Sequence, residues 1–174
     1  VAKGLPLDKE EVLKAMVSSS TIPYLDGTGE YMEKGYVALD HNGSAASLTL
    51  EYAYDDWTIY HTALLAGNRS VADTYKKRAA NYTNVFDTNM GYARPRYADG
   101  RWKENFNLLN THGEGFIEGN ALNYSFYVPQ DVDNMIRLMG GDKSFVSKLD
   151  SLFTMHLPAE FFAQTEDVTE EGLL

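Results

Sequence analysis

Helical periodicity broken by one long aromatic, glycine-rich interruption is the feature that most constrains the fold of this chain. Apolar residues recur at helical spacing before Phe86 and after Phe116, whereas glycines and a proline break that spacing in between. A stretch of about 30 residues without periodic structure is rare in a compact domain unless it builds a site. We therefore expect helical hairpins with long loops, and a functional site in or beside the interruption.

The segments with helical spacing predict individual helices. Before the interruption they cover residues 8–19, 47–66 and 70–85. Gly67-Asn68 ends the second of these helices and Ser70 is a candidate N-cap of the third, so we expect the two to form an antiparallel hairpin. Strand patterns are sparse, as at residues 35–37.

Turn and stop signals organise the rest of the chain. Asp99-Gly100 predicts the tight turn of a short hairpin inside the interruption. Beyond it, helices resume near Asn120, restart in the turn after Pro129 and stop at Gly140-Gly141. Two more helices are predicted over residues 143–153 and 159–163. The predicted class is all-α, a toroid or bundle of helical hairpins.

Composition narrows the domain organisation and the partners. The 174 residues, 44% of them hydrophobic, show no compositional break, so residues 1–174 are expected to be a single segment of one domain. A net charge of −10 argues against nucleic acid and anionic membranes. No window approaches the roughly 20 apolar residues of a membrane helix. The start without Met and the end without a helix stop signal predict a piece of a longer protein.

Glu118 is the leading candidate for chemistry. It lies where a glycine-flexed loop turns into a helix, among aromatic residues. Apolar rings raise the pKa of a nearby carboxyl group, which then keeps a proton to donate, as glycoside cleavage requires. In the alternative interpretation, Glu118 is a charge in the first turn that stabilises the helix dipole.

Three carboxylates and three aromatic rings within seven residues of the long central helix form a second candidate. Glu51 and Asp55 share a helix face, and Asp56 lies about 100° further round. In one interpretation, Asp55 or Asp56 hydrogen-bonds sugar hydroxyls while Trp57 or Tyr54 stacks on the ring. In the other, the aspartates bind backbone amides or an arginine, and the rings belong to the core.

Other catalytic classes have no motif. The chain has no cysteine, and its four histidines are isolated, so neither a thiolate site nor a two-histidine metal pair is predicted. Nucleophile-elbow, P-loop and dinucleotide-binding motifs are absent from the sequence. No metal ligand is therefore assigned within the chain.

The order and spacing of five motifs resemble the catalytic domain of glycoside hydrolase family 92, a family of calcium-dependent, inverting, exo-acting α-mannosidases. The motifs are SLTLEYAYDDW (47–57), RAANY (78–82), NVFD (84–87), EGNA (118–121) and LMGG (138–141). The resemblance implies an (α/α)6 toroid, of which this chain supplies some of the helices. The rest of the same catalytic domain is then a partner of this segment.

The resemblance also implies functional residues. Glu118 becomes the general acid, whereas the general base and most calcium ligands are expected outside this chain. Inversion needs a second carboxylate, about 6.5–9.5 Å from the acid, that activates water. Asp55, Asp56 and Asn120 remain candidate substrate-binding residues. Ca2+ is implied as the cofactor, and its expected task is to bind mannose hydroxyls.

Three positions depart from the family pattern. The family usually has Trp and Gln where this chain has Leu122 and Asn123, and commonly has His where this chain has Gln130. These changes bear on linkage preference and on contacts to the leaving group, and they leave the acid in place.

The resemblance implies an α-mannosidase, of α-1,2 type, that releases mannose from glycans in the periplasm or outside the cell. This segment alone is expected to be inactive, because it lacks the carboxylate that activates water. Two other functions are retained as alternatives: a non-catalytic helical module that binds glycans or acts as a scaffold, and another glycosidase on the same (α/α)6 toroid.

Overall fold

The computed structural model describes residues 4–111 and 113–156, and this part of the chain is mainly helical. Its α-helices are α1 (Lys9–Ser19), α2 (Thr28–Lys34), α3 (Ala45–Leu65), α4 (Arg69–Arg78), α5 (Ala121–Tyr124), α6 (Val132–Leu138) and α7 (Asp142–Thr154). A 3-10 helix covers Asn81–Val85, and two short strands are β1 (Phe86–Asp87) and β2 (Tyr92–Ala93). The predicted helical class is confirmed.

Capping residues and apolar periodicity correctly predicted the first two helices of the sequence analysis, which are α1 and α3. The Asp8 carboxylate caps α1 by accepting hydrogen bonds from the amides of Glu10 and Glu11, each at 2.9 Å. The long helix α3 begins two residues earlier than expected and ends one residue earlier. Helix α4 packs along α3 after the short link at residues 66–68, as the hairpin prediction required.

The third predicted helix needs two corrections. Asn68, rather than Ser70, is its N-cap, because the Asn68 side chain accepts a hydrogen bond from the Val71 amide at 3.2 Å. The α-helix also ends at Arg78, and a separate 3-10 helix follows it. Tyr82 and Val85 are both buried and lie three residues apart in the sequence. This spacing puts two residues on the same side of an α-helix and of a 3-10 helix, so the apolar pattern does not reveal where one helix ends and the other begins.

The strand predicted at residues 35–37 is wrong, and the sequence did not predict the helix that precedes these residues. Helix α2 lies between Gly27 and Gly35, both of which have left-handed backbone conformations. Residues 35–37 form no strand; instead, the Val37 amide donates to the Thr49 hydroxyl of α3 at 3.0 Å. A seven-residue helix between two glycines carries too little periodicity to be recognised.

Two turns within the interruption join paired backbone segments, and the sequence predicted one of them. The turn at Asp99-Gly100 is present, with a single bridge between Arg96 and Trp102. The other turn joins β1 to β2, which pair antiparallel with Phe86 opposite Ala93. Strands of two residues lie below the length at which alternation can be read.

The C-terminal helices follow the stop signals. Helix α5 begins at Ala121, α6 begins at Val132 rather than in the turn after Pro129, and α7 begins after Gly141. The helix predicted over residues 159–163 lies outside the described residues.

Helix α3 contacts every part of the core. Leu50 and Ala53 join the largest cluster, which includes the 3-10 helix, the hairpin, α5 and α6. Ile59 and Ala63 meet α1 and α4, and Ala45 meets Tyr31 of α2. Burial on several sides explains why the apolar residues of α3 do not form a single stripe.

A buried ion pair ties α2, α3 and α4 together. Asp56 is 1% exposed, and its two oxygens lie 2.9 Å from Nε and Nη2 of Arg78. The Tyr31 hydroxyl also donates to Asp56 at 2.8 Å. Burial raises the pKa of Asp56 to about 6, although the guanidinium and the phenol oppose this shift. The carboxylate therefore depends on its partners to stay charged.

Replacing Arg78 with methionine should destabilise the protein, because it leaves a buried carboxylate without its cation. The expected loss is about 3–5 kcal/mol in the free energy of unfolding. Loss of the cation moves the pKa of Asp56 above its present value of about 6. The native variant then binds more protons than its unfolded chain, so its stability falls as the pH rises.

Denaturant unfolding at pH 5 and pH 8 measures this effect in the full-length protein. The loss relative to the unsubstituted protein should be larger at pH 8. Lys77→Met is the matched control, since Lys77 is an exposed cation one residue away and its loss should change stability by less than about 0.5 kcal/mol. Equal losses for the two variants would contradict this account of the pair.

Candidate active site

The segment that carries Glu118 is attached to the first turn of α3. The Gly115 carbonyl accepts hydrogen bonds from the amides of Ala46 at 2.8 Å and Ser47 at 3.1 Å. The N-cap residue Ser44 provides no side-chain hydrogen bond to this helix end. Because the first amides of a helix have no partner within it, the Gly115 carbonyl supplies a cap from a distant part of the sequence.

Gly115 cannot be replaced without a clash. Its backbone is left-handed, with φ of +84°, and a Cβ at this position would lie 2.7 Å from the Pro95 Cβ. The next residue, Phe116, is buried in the largest core cluster, with its ring centroid 5.6 Å from that of Tyr124. The loop is therefore fixed three residues before Glu118.

Glu118 is exposed and has a left-handed backbone, with φ of +51°. Asp26 and Asn105 are the other non-glycine residues with positive φ in the described part of the chain. Asp and Asn adopt this conformation more readily than Glu, so Glu118 is the unusual member of the set. Such strain costs about 1–3 kcal/mol and persists where the surroundings enforce it, often at functional sites.

The Glu118 carboxylate is not used for folding. Across residues 4–111 and 113–156, no hydrogen bond or ion pair of this carboxylate is found. It therefore points to a surface where a ligand could meet it. The alternative interpretation, a charge in the first turn of a helix, does not describe this geometry, because α5 begins at Ala121 after its N-cap Asn120.

Asn120 has a structural task. Its Oδ1 accepts hydrogen bonds from the amides of Leu122 at 3.0 Å and Asn123 at 3.3 Å, which caps α5. The Asn123 side chain returns a bond to the Asn120 amide at 2.9 Å, completing a capping box. Asn120 Nδ2 donates to the Leu109 carbonyl at 3.2 Å. Asn120 thus fixes the chain two residues after Glu118.

Four aromatic rings lie near one another beside this loop, and we call them the aromatic platform; three of them are in contact, and Tyr124 lies close enough to feel the charge of Tyr127. They are Tyr54 and Trp57 of α3, with Tyr124 and Tyr127 at the end of α5. The Tyr54 and Trp57 rings stack at 5.8 Å, and Tyr127 meets Tyr54 edge-on at 5.8 Å. Exposed or half-buried rings of this kind can pack against the apolar face of a sugar.

Acidic residues border the aromatic platform. The Tyr124 hydroxyl donates to Glu51 Oε1 at 3.2 Å. Burial raises the pKa of Tyr124 to about 12, and the negative charges of Glu51 and Glu118 add to that shift. Asp55 and Glu51 likewise act on Tyr127, whose pKa is raised mainly by burial. Glu51 therefore acts on both tyrosines, whereas Glu118 acts on Tyr124 and Asp55 acts on Tyr127.

The two aspartates of α3 have different surroundings. Asp56 is fully engaged by Arg78 and Tyr31, which is the structural alternative that the sequence left open. Asp55 is exposed, its side chain makes no hydrogen bond or ion pair in the described part of the chain, and partial burial raises its pKa. Of this pair, Asp55 is the one with oxygens available to a ligand.

A cavity of about 410 Å³ between α1, α2 and α3 does not include the loop. Asp55 and Asp56 line it, together with apolar side chains such as Met16 and Leu25, but Glu118 does not. Volume alone therefore does not locate the chemistry, because the unpaired acid and the aromatic platform lie elsewhere.

The described residues fit no metal site. Within them, no group of three or more His, Asp or Glu side chains has the geometry to hold a metal ion. Of the histidines, His41 contacts Glu30 at 2.9 Å and His61 packs on Trp57, while His112 lies outside the described residues. None of the described helices is long and apolar enough to span a membrane.

The sequence singled out Glu118 and the acidic face of α3 as candidates, but two further groups were given no role. Tyr124 and Tyr127 escaped notice, although their spacing of three residues after a helix start would have placed them on one side. The buried carboxylate of Glu114 also escaped notice, and its partner Lys103 is separated from it by a turn that no local pattern reveals.

Comparison with known proteins places this geometry in a family. The model of the glycosyl hydrolase family 92 catalytic domain matches residues 1–172. The family GH92 alpha-mannosidase BT3965 of Bacteroides thetaiotaomicron is similar in structure, with a TM-score of 0.85 and 34% identity over 90% of this chain and 21% of its own. The family GH92 inverting mannosidase BT2199 of the same species is also similar, with a TM-score of 0.83 and 29% identity. The match covers 94% of this chain and 23% of BT2199.

A curated relative from Arthroderma benhamiae, named as an uncharacterized secreted glycosidase, is 29% identical over 128 residues. That match covers 61% of this chain and 16% of the relative. The chain thus spans less than a quarter of the length of each of these three relatives.

A pair of glycine substitutions tests how the loop is fixed. Gly113 and Gly115 are both left-handed, but a Cβ at Gly113 meets no atom within 4 Å. Gly113→Ala should therefore cost about 1–2 kcal/mol through backbone strain alone. Gly115→Ala adds a clash with Pro95, which should raise the cost by a further 1–3 kcal/mol or so. Denaturant unfolding of the two variants measures the difference, and equal costs would contradict the contact with Pro95.

Proposed function

The chain belongs to glycosyl hydrolase family 92, and we propose that the full-length protein is an exo-acting, inverting α-mannosidase in which Glu118 is the general acid. The proposed substrate is a mannose-containing glycan, with the terminal α-1,2 linkage as the preferred bond. Glu118 would protonate the glycosidic oxygen as the bond to the sugar breaks.

The observation that carries this proposal is the unusual condition of Glu118. Its carboxylate is exposed and unpaired within the described ranges, yet its backbone is held in a strained left-handed turn. By contrast, the carboxylates of Asp56 and Glu114 form buried ion pairs. A side chain that folding leaves unused, on a backbone that folding constrains, suits a group that must meet a substrate.

The neighbouring residues take supporting roles in the proposal. The aromatic platform is suited to packing against a sugar ring, and Asp55 has free oxygens for sugar hydroxyls. Asp56 and Asn120 act on substrate indirectly, because their side chains hold α3 and α5 in place. The four rings and Asp55 then contribute mainly to affinity, and Glu118 contributes mainly to the rate.

Inversion requires a second carboxylate, and we assign it to the part of the catalytic domain outside this chain. Most of the calcium ligands are assigned to that part as well. The described residues offer no calcium site, so no step here depends on the ion. Similarity to BT3965, an alpha-mannosidase, and to BT2199, an inverting mannosidase, supports the mannosidase and inverting assignments. A complex of BT3965 with mannoimidazole supports mannose as the ligand. The secreted relative supports a location in the periplasm or outside the cell.

Replacing Glu118 with glutamine in the full-length protein tests the acid. With α-1,2-mannobiose, kcat should fall about 10²–10⁴-fold, because the leaving sugar needs a proton. With 2,4-dinitrophenyl α-mannoside, whose leaving group needs none, the change should be much smaller. Thermal unfolding should be unaltered, since the side chain is exposed and unpaired among the described residues.

Glu104→Gln is the matched control, because Glu104 is an exposed carboxylate in the preceding loop, with 76% of its side chain accessible. It should leave both rates unchanged. Full activity of Glu118→Gln on mannobiose would sink the proposed role. Binding of mannobiose without cleavage by the unsubstituted protein would instead support a non-catalytic glycan-binding module.

The stereochemistry of the product is a separate prediction. An inverting enzyme acting on an α-mannoside should release β-mannose first, before mutarotation mixes the anomers. Proton NMR of the anomeric region during the first minutes of the reaction measures this directly. Initial release of α-mannose would contradict inversion without contradicting the mannosidase assignment.

A further inference from the structure

We propose that Glu114 is a positioning residue, which holds the Glu118 segment in its productive place through a buried ion pair with Lys103. This inference rests on the proposed role of Glu118 as general acid. The Glu114–Lys103 pair would explain why the Glu118 carboxyl group keeps one position relative to the sugar.

Glu114 is a buried carboxylate that the proposed chemistry does not use. It is 6% exposed, and its Oε2 lies 3.1 Å from the Lys103 ammonium. That contact is electrostatic, since Oε2 accepts no aligned hydrogen bond in the described part of the chain. Its Oε1 accepts a hydrogen bond from the Asn110 side chain at 3.3 Å. A buried carboxylate left without its cation would be costly, so the loop conformation is tied to Lys103.

Lys103 is itself held by the structure that packs against the loop. Its amide donates to the Pro95 carbonyl at 3.0 Å, and its own carbonyl accepts from Arg94 Nε at 2.9 Å. Arg94 in turn forms an ion pair with buried Asp87 of β1 at 2.9 Å. The chain of contacts therefore runs from the β1–β2 hairpin to Glu114.

The ion pair between Glu114 and Lys103 can influence Glu118 because Glu114 is close to Glu118 in the sequence. Glu114 directly precedes Gly115, whose carbonyl caps α3, and it lies four residues before Glu118. On the other side, the capping box of Asn120 fixes the chain. Glu118 lies between these two attachments in a left-handed conformation that would otherwise relax. Loss of the Glu114–Lys103 pair should loosen the first attachment and shift the acid slightly, while the Gly115 carbonyl still caps α3 and the helices stay folded.

The functional consequence is specific to leaving groups that need a proton. A displacement of about 1 Å at a reacting group can cost roughly 100-fold in rate. A displaced acid hinders cleavage of a sugar–sugar bond, but it matters little for a leaving group that departs as a stable anion. A general loss of structure would instead reduce both reactions.

Glu114→Gln in the full-length protein tests the proposal, since glutamine keeps the size and the bond to Asn110 but loses the charge. The kcat for α-1,2-mannobiose should fall about 10–100-fold. The kcat for 2,4-dinitrophenyl α-mannoside should change by less than about 3-fold. Lys103→Met should give the same pattern, and the double variant should be no worse than either single one, because the two side chains act as one pair.

Glu104→Gln is again the control, because it removes an exposed carboxylate next to Lys103 without touching the pair. Equal losses with the two substrates, or no loss with mannobiose, would overturn the positioning role. If Glu118→Gln shows the leaving-group dependence and Glu114→Gln does not, this inference alone fails. If Glu118→Gln shows no such dependence, the proposed acid fails and this inference fails with it.

Discussion

A single backbone carbonyl connects the site to the fold. Gly115 accepts two hydrogen bonds from the first turn of α3, at 2.8 and 3.1 Å, and so satisfies a helix end that has no side-chain cap. The same residue is confined by Pro95, and its neighbour Phe116 is part of the core. Movement of Gly115 itself would therefore uncap the helix that organises the core.

Helix α3 has one side in the core and another that carries rings of the aromatic platform. Leu50, Ala53 and Ile59 are buried in two core clusters, and Asp56 joins α3 to its neighbours through Arg78. Another side carries Tyr54 and other residues that border the aromatic platform. Because α3 holds Tyr54 and Trp57 and also receives the cap from Gly115, backbone contacts link these two rings to the loop that carries Glu118.

Local sequence signals predicted the elements that local interactions determine. Caps and apolar spacing located α1, α3 and α7 within about two residues, the usual uncertainty of helix ends. The short helix α2 and the β1–β2 hairpin were missed, because each is shorter than the period that reveals it. A 3-10 helix was read as part of α4, since Tyr82 and Val85 keep a spacing that both helix types share.

The sequence also predicted part of the candidate site, namely the part whose residues are adjacent in the chain. Glu118 stood out because its loop and the start of α5 are adjacent in sequence. Asp56 and Asn120 looked equally available, but the structure engages both, and the partners of Asp56 lie 22 and 25 residues away. Lys103 and Glu114 meet only through the folded interruption. Pairings across such distances follow from tertiary packing, and one sequence does not specify them.

A crystal structure of the full-length protein with mannoimidazole would show whether Glu118 serves as the acid, because this inhibitor carries an imidazole nitrogen to which a general acid can donate a proton. The account predicts a Glu118 carboxylate oxygen within hydrogen-bond reach of that nitrogen, at roughly 2.6–3.2 Å. The Gly115 carbonyl should still cap α3 in the same crystal. A Glu118 side chain that is turned away from the inhibitor, with another carboxylate in its place, would contradict the account.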